Sequence, residues 1–303
     1  MLSILLAYDV PRWAFDYETR VLEKTLPRKI PEALSVTRLP SSQVTNLRKY
    51  DIVYSSAYYA LKLADHPKSL TQISSYSYWV RKGWKPPQRC ECGNPKCAGW
   101  PHLVLWKSVG AKNADIHQRL LPERPDARLL YHPADPEVYI PRPRSCGNEL
   151  RVGFAGHRRG IKGFSLIRDA VAATPGTVLV TRTWEGGDRV DQAGMVDFYN
   201  SLDCYVCMSR PGQDAGPMTV VEAGLCGVPI VTTKAGQSGE MVKDGENGLV
   251  VGRSVESLSG ALRRLSLSRD EAIKMGNRAA ESFREEWVYP ALDRWSAFFT
   301  EAL

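Results

Sequence analysis

Four basic side chains fall within one glycine-flanked turn, where they could neutralise a bound anion. His157, Arg158, Arg159 and Lys162 belong to the segment GHRRGIKG, which begins at Gly156. Glycines permit positive φ angles and close backbone approach to a ligand, and helix N-terminal amides favour negative charge. The pattern favours a diphosphate cradle, although a solvated basic turn is the alternative interpretation. Its spacing matches neither a Walker A loop nor a dinucleotide fingerprint, so it gives no indication of nucleoside triphosphate hydrolysis.

Two carboxylates follow in the block Ser209 to Pro229, where a glycine- and proline-rich loop precedes a predicted helix starting near Thr219. Asp214 lies in the loop and Glu222 lies one turn inside the helix, so both can face a ligand at the helix N-terminus. A carboxylate can accept hydrogen bonds from two vicinal hydroxyls, as binding a ribose requires. The alternative is that Asp214 is a turn residue and Glu222 an exposed helix residue.

These segments, with a third from Thr233 to Val251 that contains DGENGL, resemble the C-terminal domain of the GT4-family retaining glycosyltransferases (glycosyltransferase group 1). That family has the GT-B fold. Its strand, glycine turn and Lys-Gly pair are matched here by Gly156 to Gly163. Its Glu-x7-Glu motif, with the following Ala and Cys-Gly-x-Pro, is matched by Asp214 to Pro229. The resemblance extends over about residues 150 to 285 and is weaker in the first half.

The resemblance implies a role for each matching residue. Lys162 would neutralise the donor diphosphate, Asp214 would lie near the donor sugar, and Glu222 would bind the ribose hydroxyls. Asp214 stands where the family has Glu, and His157 stands where it has Arg. The implied catalytic residues are Asp214, Lys162 and Arg158, and the implied donor-binding residues are Gly156, His157, Arg159, Gly216, Pro217, Met218, Thr219 and Glu222.

The reaction implied by the resemblance is transfer of a sugar from a UDP- or GDP-sugar to an acceptor hydroxyl with retention of configuration. Cationic side chains and the helix dipole would stabilise the leaving diphosphate, so no metal or other cofactor is expected in catalysis. The acceptor would be a saccharide, a lipid-linked compound or a small molecule. Two alternatives stay open: transfer to modified bases of nucleic acid, which is not favoured, and a non-catalytic nucleotide-sugar-binding protein of the same fold.

The elements that must position these residues alternate between strand-like and helix-like segments, which is typical of parallel βαβ units. With the resemblance, they predict an α/β protein of the GT-B fold, with two Rossmann-like, doubly wound parallel-sheet domains facing a cleft. The linker-like composition of Ile140 to Gly147 marks the best boundary. The expected domains are 1–143 on the acceptor side, 144–285 for the nucleotide sugar, and 286–303 as a closing helix that packs back on the first.

Three cysteines and a histidine in the first half form a candidate structural zinc site. Cys90, Cys92 and Cys97 fall within eight residues, and His102 follows. Thiolates and an imidazole at short spacing suit Zn²⁺, although Cys-x-Cys is less common than Cys-x2-Cys. The alternative is a loop with free thiols.

Composition limits the remaining classes. The 303 residues favour two domains, and a net charge of +7 suits anionic ligands such as sugar nucleotides, membrane lipid head groups or nucleic acid. No apolar run is long enough to span a bilayer and no secretory leader is evident, so a cytoplasmic location is expected, with peripheral membrane contact permitted. Seven cysteines without such a leader argue against a disulfide framework.

Overall fold

The structure is a computed structural model, and it describes residues 2–9, 14–30, 34–58, 60–74, 102–144, 147–188 and 190–303. The chain divides into two compact units, Met1–Pro133 with Pro290–Leu303, and Ala134–Tyr289. The domain bounds 1–143, 144–285 and 286–303 stay predictions beside this division. No helix among the described residues has the length and hydropathy that crossing a membrane requires.

The described residues of the first unit form a parallel sheet. Its strands are β1 Leu2–Tyr8, β2 Leu34–Pro40, β3 Ile52–Ser55, β4 Ser69–Ile73, β5 Ser108–Ala111 and β6 Arg128–Leu129. They lie in the order β2-β1-β3-β4-β5-β6, and each neighbouring pair is parallel. β1 is buried from Ile4 to Tyr8, because an interior parallel strand is covered on both faces and needs a continuous apolar run.

Helices α1 Ala14–Lys29, α2 His102–Leu105 and α3 Ala114–Leu120 belong to the same unit. The C-terminal helix, Tyr289–Thr300, places Trp295 and Phe299 in one core cluster with Leu22 of α1. The indole Nε1 of Trp295 also donates to the carbonyl oxygen of Tyr131 at 2.9 Å. Residues from the two ends of the chain therefore share one core.

The second unit has its own parallel sheet, with strands β7 Leu150–Gly156, β8 Thr177–Thr183, β9 Cys204–Cys207, β10 Ile230–Thr232 and β11 Gly248–Val250. They lie in the order β11-β10-β9-β7-β8. Its helices are α4 Phe164–Ala172, α5 Gln192–Asn200, α6 Met218–Leu225, α7 Gly236–Met241, α8 Val255–Leu267 and α9 Arg269–Ser282. The apolar side chains of β7 and β9 pack with α4 and α8 in one core cluster.

Two parallel α/β sheets confirm the predicted pair of Rossmann-like units. In the second unit the basic turn follows β7, the loop that carries Asp214 follows β9, and α7 follows β10. Because all these strands are parallel, the three segments leave from one edge, the carboxyl edge, which is where open α/β sheets bind ligands. The sheet therefore brings together motifs that lie far apart in the sequence.

Candidate functional site

The basic turn leaves β7 and enters α4 through two glycines in left-handed backbone conformations. Gly156 has a φ of 129° and Gly163 has a φ of 71°. A Cβ atom added at Gly163 would lie 2.5 Å from the carbonyl oxygen of Met208, the residue after β9. The turn therefore packs against the chain that leaves β9, and glycine alone fits this approach.

Gly163→Ala is expected to destabilise the protein by at least about 1–2 kcal/mol, the cost of a left-handed conformation for a residue with a Cβ. The contact with Met208 adds to that cost. Gly160→Ala in the same turn is the matched control, because a Cβ added there meets nothing within 4 Å. Urea unfolding of the wild type and both variants measures the difference. Equal losses for the two variants would contradict the close packing of the turn.

Glu185, which follows β8, holds the first half of the basic turn. Its carboxylate lies 3.1 Å from Nδ1 of His157 and accepts a hydrogen bond from the amide of Arg158, also at 3.1 Å. The His157 ring stacks at 5.3 Å, between centroids, on the indole of Trp184. His157 is thus paired with an acid, whereas Arg158 and Arg159 lie at the exposed surface of the turn.

Lys162 and Asp214 are in direct contact, as Nζ of Lys162 donates to Oδ2 of Asp214 at 2.6 Å. The hydroxyl of Ser209 donates to the same oxygen at 2.6 Å. Burial alone would raise the pKa of Asp214, but the Lys162 ammonium and these hydrogen bonds outweigh it and hold the pKa below its usual value. Asp214 is therefore ionised at neutral pH, and it fixes the Lys162 ammonium beside the loop before α6.

The backbone amides of the loop before α6 differ in whether they are available to a ligand. The amide of Gly216 donates to Oδ1 of Asp214 at 3.3 Å, and Pro217, the N-cap residue of α6, has no N–H. Within the described residues no side chain caps α6. Met218 and Thr219, which are among the residues predicted to bind phosphate, provide the first two backbone amides of α6.

Glu222 lies one turn into α6 and is only 7% exposed. The hydroxyl of Tyr199, on α5, donates to Oε2 at 2.6 Å, and that of Tyr139 donates to Oε1 at 3.1 Å. Burial raises the pKa of Glu222, and the two tyrosine hydroxyls oppose that effect without reversing it. The alternative interpretation of Glu222 as an exposed helix residue is therefore wrong.

The start of α6 lies beside the end of β7. The Tyr205 hydroxyl donates to Oγ1 of Thr219 at 2.7 Å and lies 3.3 Å from the carbonyl oxygen of Ala155. Thr219 and Glu222 are three residues apart and share a helix face. The structure thus joins Lys162 to Asp214 and Thr219 to Tyr205 of β9, whereas Glu222 is held by two other tyrosines.

Sequence reasoning does not find the groups that hold the two carboxylates. Ser209 lies inside a block of interest, but a serine at the end of a strand carries no distinctive signal. Tyr139 lies in a loop 83 residues before Glu222, and Tyr199 reads as part of the apolar face of a helix. No local pattern marks either tyrosine as a partner of Glu222.

The zinc candidates Cys90, Cys92 and Cys97 lie outside the described residues, and so does the side chain of His102. In the parts of the chain that the structure describes, no three His, Cys, Asp or Glu side chains are grouped as a metal site. Cys204, Cys207 and Cys226 are free and buried. The zinc site stays a prediction.

Comparison with known proteins gives a family match in the second unit. Residues 188–282 match the model of the family "Glycosyl transferases group 1". A similar protein is the GDP-mannose-dependent alpha-(1-6)-phosphatidylinositol monomannoside mannosyltransferase of Mycobacterium tuberculosis, 31% identical over 114 residues. This match covers 36% of the present chain and 30% of the length of the relative.

Solved structures resemble the whole chain. HepE of Anabaena, in complex with UDP and glucose, has a TM-score of 0.71 at 14% identity, and the match covers 100% of both chains. Sucrose-phosphate synthase of Thermosynechococcus elongatus has a TM-score of 0.69 at 15% identity, with coverage of 99% of this chain and 97% of that one. This likeness confirms the predicted GT-B fold. The match in sequence supports the predicted resemblance as well, since residues 188–282 match the model of the glycosyl transferases group 1 family.

Proposed function

We propose that the protein is a glycosyltransferase that moves a sugar from a nucleoside diphosphate sugar to an acceptor hydroxyl. The observation that carries this proposal is the contact of Lys162 with Asp214 at 2.6 Å. It joins the basic turn after β7 to the loop before α6. A cation, a carboxylate and the uncapped start of a helix therefore lie together at the carboxyl edge of the sheet.

The diphosphate of the donor is proposed to lie between Lys162 and the start of α6. An ammonium group has three N–H donors, and Asp214 accepts from one of them, so others can reach phosphate oxygens. The amides of Met218 and Thr219 and the positive end of the helix dipole add to this attraction. Arg158 and Arg159 extend the positive charge along the turn.

The ribose of the donor is proposed to bind Glu222. Each carboxylate oxygen has two lone-pair directions, and each accepts one tyrosine hydroxyl, so both can accept a second hydrogen bond. Tyr139 and Tyr199 then orient the carboxylate toward vicinal hydroxyls. Asp214, close to the diphosphate position, is the side chain proposed to lie nearest the donor sugar.

Transfer is proposed to retain the anomeric configuration and to need no metal, because Lys162 and the basic turn supply the positive charge that the leaving diphosphate requires. The donor is a UDP- or GDP-sugar: the mycobacterial relative is named for GDP-mannose, and the Anabaena structure holds UDP and glucose. The same relative acts on a phosphatidylinositol monomannoside, which favours a lipid-linked acceptor. Product NMR, and rates with and without EDTA, test retention and metal independence separately.

Glu222→Gln is expected to abolish the thermal stabilisation that nucleotide sugars give the wild type, without destabilising the unliganded protein. Because burial raises the pKa of Glu222, the folded chain binds that proton more tightly than the unfolded chain does. Folding stability therefore falls as pH rises through the raised pKa, because the buried side chain then loses its proton. A Gln stays neutral, so it removes that pH-dependent loss and also replaces a carboxylate oxygen that would accept from the ribose hydroxyls.

A thermal-shift screen over UDP, GDP and their sugars measures both effects, since a ligand that binds the folded state raises its apparent stability. Glu240→Gln on α7 is the matched control, and it should keep the ligand-induced shift. An undiminished shift in Glu222→Gln would contradict the ribose assignment. Donor binding without any turnover would favour the alternative of a non-catalytic nucleotide-sugar-binding protein. Sugar transfer to nucleic acid alone would favour the alternative of a transferase that acts on modified bases.

A further inference from the structure

A cavity of about 160 Å³ opens at the amino edge of the second sheet. Asp203 and Pro229 line it, and they immediately precede β9 and β10. The basic turn leaves the opposite end of β7, whose seven residues rise about 3.3 Å each and separate the two edges by about 20 Å. The cavity is therefore distinct from the candidate functional site.

Arginine dominates the charge of the cavity wall, which contains Arg142, Arg144, Arg269 and a single acid, Asp203. Two more charges contact these residues. Asp197 pairs with Arg142 at 2.6 Å, and Arg151 pairs with Asp203 at 3.2 Å. Among the described residues that line the cavity or form these ion pairs, four guanidinium groups and two carboxylates give a net charge of +2. Arginine does not lose its proton in proteins, so the surplus persists at every working pH.

Arg269 contributes a donor that the described residues satisfy only weakly. Its Nη1 atom is buried and makes no hydrogen bond within the described residues. The ion pair from that atom to Oδ2 of Asp203 is 3.4 Å long, and the same oxygen already accepts from the amide of Arg151 at 2.7 Å. A buried N–H that lacks a hydrogen-bond acceptor is costly to desolvate, so an anion in the cavity would supply the acceptor that the long contact with Asp203 does not.

Arg144 is held rigidly in the wall. Its Nη2 atom donates to the carbonyl oxygens of Cys226 and Gly227 at 2.8 and 2.5 Å, and its Nη1 atom donates to that of Leu202 at 3.3 Å. These contacts also satisfy carbonyl groups at the end of α6. Because the side chain is ordered beforehand, it loses little conformational freedom when a ligand binds.

We propose that this cavity binds a phosphate monoester group. Such a group carries a charge of about −1.5 to −2 at pH 7, which matches the surplus of two positive charges. The planar fork of a guanidinium binds phosphate oxygens in pairs. Pro141, Pro229 and Ile273, which is 48% exposed, add an apolar wall on which the alcohol portion of the ester rests.

Calorimetric titration with inorganic phosphate and with glycerol phosphate tests the site. Arg269→Gln is expected to weaken binding at least tenfold, and Arg142→Gln, at the half-exposed rim, is expected to weaken it less. Arg168→Gln is the matched control, because this exposed arginine on α4 pairs with Asp169 away from the cavity. Lys162→Met removes the cation of the proposed diphosphate site and should leave this binding intact. Urea unfolding of each variant shows whether the fold is retained.

Vesicles of phosphatidylcholine with and without phosphatidic acid separate the two sources of the phosphate group. Binding of the free ester alone assigns the cavity to a soluble phosphate compound. Binding of phosphatidic acid vesicles alone, weakened by Arg269→Gln, assigns it to a lipid head group. The proposal is overturned if neither probe binds saturably, or if binding survives Arg269→Gln and is lost in Lys162→Met.

Discussion

Lys162→Met is expected to lower kcat for sugar transfer by about 10²- to 10³-fold. The expectation rests on the proposed function, in which the Lys162 ammonium stabilises the negative charge that develops on the leaving diphosphate. Loss of one preorganised donor at such a position costs about 3–4 kcal/mol in the transition state. Methionine keeps an unbranched apolar chain and removes the charge. Steady-state kinetics with a labelled nucleotide sugar measure the effect.

The structural role of Lys162 has to be measured beside its catalytic role, because it also neutralises Asp214, whose side chain is only 11% exposed. Urea unfolding of Lys162→Met reports that cost. Lys243→Met is the matched control: Lys243 pairs with Glu286 at 2.8 Å, and both side chains are about half exposed. It should keep the wild-type kcat. A Lys162→Met enzyme with a raised KM and an unchanged kcat would show that Lys162 binds donor and transition state equally, which contradicts the catalytic role.

Elements with a strong local pattern are predicted almost to the residue. The sequence predicts a helix over 255–267, and α8 spans Val255–Leu267. Its apolar residues recur at helical spacing, and Ser254 caps it by accepting from the amide of Ser257. Both signals lie within the segment itself. Strand β1 is predicted over 2–7 and extends by one residue, to Tyr8.

Strands that depend on distant partners are missed. The segment that forms β2 ends in Pro40, which weakens a strand prediction. It becomes a strand because seven residues pair in register with β1, and because Arg38 forms an ion pair with the buried Asp16 of α1. β5 has four residues, and its Gly110 packs so closely that an added Cβ would lie 2.3 Å from Leu130. Neither pairing is visible in the segment itself.

For the candidate site too, the sequence predicts some features and misses others. That Lys162, Asp214 and Glu222 belong to one site is predicted from motif order and from the parallel sheet. The partners of these residues are not, because Tyr139 reaches Glu222 across 83 residues and Lys162 reaches Asp214 across 52. Burial of Glu222, which raises its pKa, depends on those same tertiary contacts. Sequence therefore predicts the chemistry of the site better than its electrostatics.

A buried cluster of charged side chains in the first unit is expected to contribute strongly to folding stability. Glu18 on α1 is fully buried, and its Oε2 accepts from Nζ of Lys112 at 2.5 Å. Its Oε1 accepts from the hydroxyl of Tyr54 at 2.8 Å and from Nε2 of Gln72 at 2.6 Å. Lys112 is fully buried as well, and its ammonium lies 4.4 Å from the ring centre of Trp295. The cluster thus connects α1 and the C-terminal helix with β3, β4 and the residue that follows β5.

The two charges respond differently to burial. Burial would raise the pKa of Glu18, but Lys112 and His132 outweigh it and lower the pKa to about 2, from an ordinary value of 4.5. Glu18 therefore adds stability that is fully present above pH 4.5 and is lost as pH falls toward 2. At about 1.4 kcal/mol per pKa unit, the contribution is about 3 kcal/mol. Burial lowers the pKa of Lys112 to about 8, so Lys112 keeps its proton throughout that acid range.

Glu18→Gln is expected to cost about 3–5 kcal/mol of folding stability at pH 7, because it leaves the Lys112 ammonium buried without a counterion. Adding Lys112→Met should restore much of that loss, since a neutral pair needs no desolvated charge. Asp115→Asn, which breaks an exposed pair with Arg119, is the control and should cost less than about 1 kcal/mol. Urea titrations between pH 7 and pH 3 measure all four proteins, and the single variant should lack the acid sensitivity of the wild type. A Glu18→Gln protein as stable as the wild type, or a double variant no more stable than the single one, would show that the pair does not anchor this unit.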